Sequence, residues 1–274
     1  MPKSYLDNLG NHLVRQAVRL ARHDRSGEFT SHQNIELFQH AEAIARLEAV
    51  KNIGRLLLAA EQARELADSW REFNVGGAAF VMYFDQQLSS WRFEIAHGAN
   101  AKPTHDDTIN VHAEHTLMTK ATEGCLPGEV VSIPFVCIIG DVQADQQSGL
   151  DSATLHPCGL CREAFLQPDT PIGPQTMFLS ATSDMQNFEW YSLSPLLAFH
   201  ATGDRSGIGE CQFQAPPLAL TFDPASIVRN GVARLSLLED EAFVQSDHEV
   251  ADNLILPMTQ YAMQMDITAQ GSTL

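Results

Sequence analysis

Val111-His112-Ala113-Glu114 and, further along, Pro157-Cys158-Gly159-Leu160-Cys161 supply an imidazole, a carboxylate and two thiols in the order that a hydrolytic metal site needs. A catalytic zinc is usually held by three protein ligands, with the fourth tetrahedral position left for water, and one imidazole with two thiolates meets that count. His112, Cys158 and Cys161 form such a set. The two-residue gap between the cysteines lets both sulfurs converge on one ion, especially if Cys161 falls in the first turn of a helix. Cys161-Arg162-Glu163-Ala164-Phe165-Leu166 is compatible with that. Near a helix N-terminus the unpaired N–H groups favour thiolate over thiol, and thiolate is the form that binds metal. Zinc lowers the pKa of bound water from 15.7 towards about 7. Glu114, two residues from His112, is free of the ligand count and can take the proton such a water releases.

Two other readings of the same residues stay open. A structural zinc site would want a fourth protein ligand, and His156 or Cys137 could provide it. Otherwise His115 and His156 read as ordinary polar residues near the site, and Cys137 as a core residue in an apolar strand. Arg162 can donate to a ligand sulfur, or it can be a surface arginine, and Pro157, which opens the cysteine motif, is counted with it around the ligands.

The ordered pattern H-x-E followed by P-C-x-x-C is the signature of zinc-dependent deaminases. Other stretches resemble the cytidine deaminase family. Phe73-Asn74-Val75-Gly76 opens an apolar run, Gly76 to Phe84, that reads as a buried strand, and the family carries a similar F-x-V-G-A segment. Trp91 to Gly98 reads as a second strand, followed by Gly98-Ala99-Asn100-Ala101-Lys102, which resembles the family's G-x-N-x-E ribose-binding turn. Val136-Cys137-Ile138-Ile139-Gly140 looks like its third strand, and Ser194-Pro195-Leu196-Leu197-Ala198-Phe199 is loosely similar to its L-L-P-x-x-F ending. The resemblance covers residues 55–200.

This resemblance implies hydrolytic deamination of a cytidine-like nucleoside at a zinc ion held by His112, Cys158 and Cys161, with Glu114 as proton shuttle. It also implies that Phe73, Asn74, Asn100, Lys102 and Ala113 lie against the substrate, and that the protein is a homodimer. The histidine ligand is more like the longer dimeric bacterial enzymes. One position departs from the pattern: where the family has a glutamate that accepts from the ribose, this chain has Lys102, one of four lysines. A lysine reverses the charge and accepts nothing. Either it points to solvent, or the pocket takes a different small substrate: a nucleotide, a nucleoside antibiotic or another heterocyclic amine. A zinc-bearing structural or regulatory protein without catalysis is the reading from another class.

The remaining sequence bounds these readings. A net charge of −17 and a pI near 4.9 disfavour a phosphodiester polymer and favour a small-molecule substrate. No apolar stretch reaches membrane-spanning length, the polar N-terminus lacks a signal-peptide layout, and a cytoplasmic location is expected. Five cysteines, two of them claimed as ligands, make a poor disulfide framework.

The first seventy residues read as helices. Leu6, Leu9, Leu13, Ala17 and Leu20 form one stripe; a second begins at Leu37, Phe38, Ala41, Ile44 and Ala45 and continues through Leu56 to Leu66. The expected architecture is a three-layer α/β/α domain with a mixed sheet, resembling the cytidine deaminase fold. Its division is an N-terminal helical extension over 1–54, a catalytic domain over 55–202, and a C-terminal extension over 203–274. The last could be a shortened, non-catalytic repeat of the core.

Overall fold

The central strand of this α/β protein carries almost no polar residue between Gly76 and Phe84, so it has to be covered on both faces. The computed structural model describes residue 38 and residues 41–43, 45–50, 52–85, 90–104, 109–142, 154–202 and 213–214. In chain order these form helix α1 (Ile53–Glu65), strands β1 (Asp68–Ser69), β2 (Gly76–Asp85), β3 (Ser90–Ala99) and β4 (Ala101–Lys102), helix α2 (Ala113–Glu123), and strand β5 (Glu129–Ile139). Helix α3 (Gly159–Phe165), strands β6 (Met177–Ala181) and β7 (Phe188–Ser192), helix α4 (Ser194–Thr202) and strand β8 (Phe213–Gln214) follow.

Six strands form one mixed sheet in the order β3-β2-β5-β6-β7-β8, in which only β5 and β6 run parallel. β1 and β4 make a separate two-stranded parallel pair. The β2–β5 ladder slips by one residue between Phe80 and Met82, opposite Pro134, whose missing N–H cannot join a ladder.

The predicted three layers are present. On one face of the sheet, Ile53, Leu56, Leu57 and Ala60 of α1, spaced as one helical stripe, pack with Ala41, Ala45 and Ala49 of the preceding helical residues against Phe80, Met82 and Phe84. The stripe stops short of Leu66, which caps α1 and is 76% exposed. On the other face, Leu117 and Ala121 of α2, Cys161 and Phe165 of α3, and Leu196 and Leu197 of α4 cover Ala79, Val81 and Tyr83. Gly76 is required by the closeness of α1: a Cβ there would lie 2.0 Å from the Ala60 carbonyl oxygen and 2.4 Å from the Arg64 nitrogen.

No described helix is long and apolar enough to cross a membrane. The stripe over Leu6–Leu20, positions Leu37 and Ile44, Cys211 and nearly all of the segment 203–274 lie outside the described residues.

Candidate metal centre and its cleft

His112 is the N-cap residue of α2 and Cys158 the N-cap residue of α3, so each motif delivers its first ligand where backbone N–H groups are unpaired. Cys161 follows in the first turn of α3 and is fully buried. His112 Nδ1 lies 3.4 Å from Cys158 Sγ and 3.3 Å from Cys161 Sγ, and the sulfurs are 3.7 Å apart. Tetrahedral zinc, with Zn–N near 2.0–2.1 Å and Zn–S near 2.3 Å, would separate its ligand atoms by about 3.6 Å (N to S) and about 3.8 Å (S to S). The donor set and its spacing therefore fit zinc.

Among the described residues these three are the group whose donor atoms converge, and neither proposed fourth ligand joins them. Cys137 belongs to the core cluster on the opposite face of the sheet. The Nε2 of His156 lies 2.9 Å from Glu189 Oε2, and Thr154 Oγ1 donates to the same carboxylate oxygen. A buried carboxylate needs such donors, and together they tie the segment leading into Cys158 to strand β7.

The electrostatics follow from this packing. Cys158 is held down to about 3 by its hydrogen bond with Cys161, against the opposing effect of burial and with help from His112. Cys161 is pushed up by the same sulfur–sulfur hydrogen bond and by burial. His112 is raised by its contact with Cys158. Glu114, in the first turn of α2 and 7% exposed, is raised chiefly by burial, with a hydrogen bond to Cys161 pulling the other way. A carboxyl group shifted upwards beside a candidate metal-binding trio is suited to hold and return a proton.

A cleft of about 390 Å³, open to solvent, reaches His112 and Cys158 of the trio, with Cys161 buried behind them. Phe73, Asn100, Lys102, Ala113 and Glu114 all line it, together with His112 and Cys158. Asn74 sits on the same loop but is not among the lining residues. The side chain of Asn100 is engaged within the protein: its Oδ1 accepts from the Val75 N–H and its Nδ2 donates to the Phe73 carbonyl, both at 2.8 Å. That clamp holds the loop carrying the Phe73 ring and leaves one lone pair and one N–H for a ligand.

Pro157 is buried behind Cys158. Arg162 is no surface residue: it is 7% exposed, with its guanidinium over the Phe199 ring at 5.3 Å from the centroid. Its Nε and Nη1 find no hydrogen-bond partner, on sulfur or elsewhere, among the described residues, and burial lowers its pKa. The His115 ring lies 5.5 Å from that of His112, outside the ligand group.

Val75, Ile138, Leu155 and His156 also line the cleft and went unassigned to it in the sequence. The first three are apolar residues indistinguishable from core by pattern. The pairing of His156 with Glu189 joins residues 33 apart, with no local spacing to announce it.

No family model matches the chain, and no curated protein does. Among solved structures it is similar to a cytidine deaminase. That protein is the enzyme from Burkholderia pseudomallei, at 21% identity over 52% of this chain and 94% of that one, with a TM-score of 0.37.

Proposed function

We propose that the protein is a zinc-dependent hydrolase that removes the exocyclic amino group of a cytidine-like nucleoside, giving the uridine analogue and ammonia. The observation that carries this reading is the convergence of a His112/Cys158/Cys161 set beside a cleft that His112, Cys158 and the buried carboxyl group of Glu114 line. A purely structural metal has no use for an uncoordinated carboxyl group at its side.

Zinc held by His112, Cys158 and Cys161 would supply Lewis-acid activation of water. Glu114 accepts one proton from the attacking water and delivers it to the ring nitrogen, then takes the second from the hydroxyl now on that carbon and passes it to the departing amine. A C–O bond forms, the C–N bond breaks, and the carboxylate is regenerated. The ring of Phe73, held by the Asn100 clamp, offers an apolar wall for the base, while Ala113, 1% exposed, closes the floor between His112 and Glu114. The acidic chain favours a small-molecule substrate over polymeric nucleic acid, and a homodimer accompanies this reading.

The test is ammonia release from cytidine, deoxycytidine, CMP, cytosine and adenosine by zinc-loaded protein, beside Glu114→Gln. Turnover of a cytosine-bearing compound that collapses in the variant, with zinc content unchanged, supports the proposal. Full zinc occupancy with no turnover of any compound would instead favour a non-catalytic zinc protein.

A further inference from the structure

We infer that Lys102 is a specificity-determining residue that makes the cleft select substrates carrying an oxyanion, a phosphate monoester or a carboxylate, on the part of the molecule away from the reacting carbon. Only the identity of the reacting end rests on the deaminase reading. The cation's side of the cleft stands on its own observations.

First, the position is built rather than loose. Lys102 ends the short strand β4, which pairs with β1 in the register Ser69↔Lys102. The Lys102 carbonyl accepts from the Trp70 N–H at 3.0 Å, and Ala101 exchanges both backbone hydrogen bonds with Val111, one residue before His112. The backbone of Lys102 is thereby fixed to the strand-like segment that delivers the imidazole ligand.

Second, the side chain lies in the cleft. Lys102 lines it together with His112, Glu114 and Cys158, and its Nζ sits 5.2 Å from the centroid of the Phe73 ring. That is within cation–π reach, which orients an ammonium without neutralising it.

Third, among the described residues its charge meets no carboxylate: Lys102 forms none of their ion pairs. The other polar groups on the wall cannot replace it. His112 faces the two sulfurs, Asn100 is clamped to Phe73 and Val75 and has one uncharged N–H to offer, His156 is bonded to Glu189, and Glu114 would repel an anion.

An uncommitted ammonium over an aromatic wall offers three N–H donors and a full charge to an oxyanion, and nothing to a donor-rich neutral sugar beyond ordinary donation. The acidic surface that repels a polyanion leaves this local site free to take a compact one, because the Debye length at physiological salt is about 8 Å.

The experiment has a binding arm and a turnover arm, both on zinc-loaded full-length protein. In calorimetry, UMP, uridine-5′-carboxylate and uridine are titrated as non-deaminable ligands, so the result does not depend on catalysis. The expected outcome is at least tenfold tighter binding of one oxyanion-bearing ligand than of uridine. That preference should be abolished in Lys102→Gln, retained in Lys102→Arg, and weakened as salt rises. Tighter binding of UMP alone identifies phosphate as the partner, and tighter binding of the carboxylate alone identifies carboxylate. Equal binding of all three, or a preference unchanged in Lys102→Gln, overturns the inference.

The turnover arm compares kcat/KM for CMP and cytidine, and the same loss of ratio is expected in Lys102→Gln, carried by KM. Oxyanion-selective binding without ammonia release from either compound would leave Lys102 as the selector and overturn the deaminase reading instead.

Discussion

On one side of β2, Phe80, Met82 and Phe84 meet an unbroken apolar layer from α1 and the helical residues before it; on the other, Ala79, Val81 and Tyr83 share a core with α2, α3 and α4, and the starts of α2 and α3 carry the candidate metal-binding groups. The strand is the same and its alternation gives each face every second residue. The first face buries large side chains and places no ligand at all. The second buries large side chains too, Tyr83, Phe178 and Tyr191 among them, but its helices α2 and α3 start close enough together for His112, Cys158 and Cys161 to meet within 3.7 Å. Stability and chemistry are thus divided between the faces of one sheet, and the division can be tested by damaging each in turn.

The largest effect is expected on the chemical face. Cys158→Ala removes one of three ligands, so zinc should be lost on dialysis and turnover should fall to background, with far-ultraviolet dichroism close to wild type. Metal analysis checks the first and ammonia release the second; full metal content in the variant would refute the ligand set.

Glu114→Gln keeps the shape and the metal but removes the proton carrier. A fall in kcat of about 10²- to 10⁴-fold is expected, with zinc stoichiometry unchanged. Wild-type turnover would show that the proton takes another route.

On the opposite face Phe80→Ala should cost about 3–5 kcal/mol of unfolding free energy, read by urea denaturation of the zinc-loaded protein. The kcat of the folded fraction should stay within a factor of two or so of wild type. A collapse of kcat in the folded fraction would show that the two faces are coupled.

The smallest effect sharpens the comparison by showing that the α2 side also contains purely structural polar contacts. Arg92, whose guanidinium covers the Tyr83 ring at 3.8 Å, is bonded to Glu129 at 2.8 Å, and the Leu126 N–H donates to the same carboxylate. Burial pushes Glu129 up, yet these hydrogen bonds outweigh it and its pKa lies below the ordinary 4.5. A depressed carboxylate stabilises the fold above about pH 4.5, and the contribution disappears as pH falls through the folded pKa. Glu129→Gln should therefore cost no more than about 1 kcal/mol at neutral pH, since Arg92 is partly exposed. The cost should shrink towards zero in acid, with turnover unaffected. Stability curves at pH 7 and pH 3 check both statements.

What could be read along the chain was whatever chemistry is local. Cys158-x-x-Cys161 and His112-x-Glu114 each place their groups within one helix start, so spacing brings the members of each pair together, while the meeting of the two pairs, 46 positions apart, belongs to the packing. The run from Gly76 to Phe84 could only be a strand covered on both sides. Leu66 escaped that logic because the helix ends one residue earlier, at Glu65. Arg162 escaped it because a single residue cannot announce that Phe199, on another helix, will cover it.

The sequence by itself determined the two candidate motifs and the two-sided burial of the central strand, because each depends on residues within a few positions of one another. Only the tertiary structure decided that Asn100 clamps Phe73 and Val75 across 25–27 positions, that His156 answers to Glu189, and that Lys102 stands in the same cleft as Glu114. Those pairings form when β3, β7 and the two ligand-bearing helices pack on the sheet. Their energies come from burial and hydrogen bonding between distant segments, which no local spacing encodes.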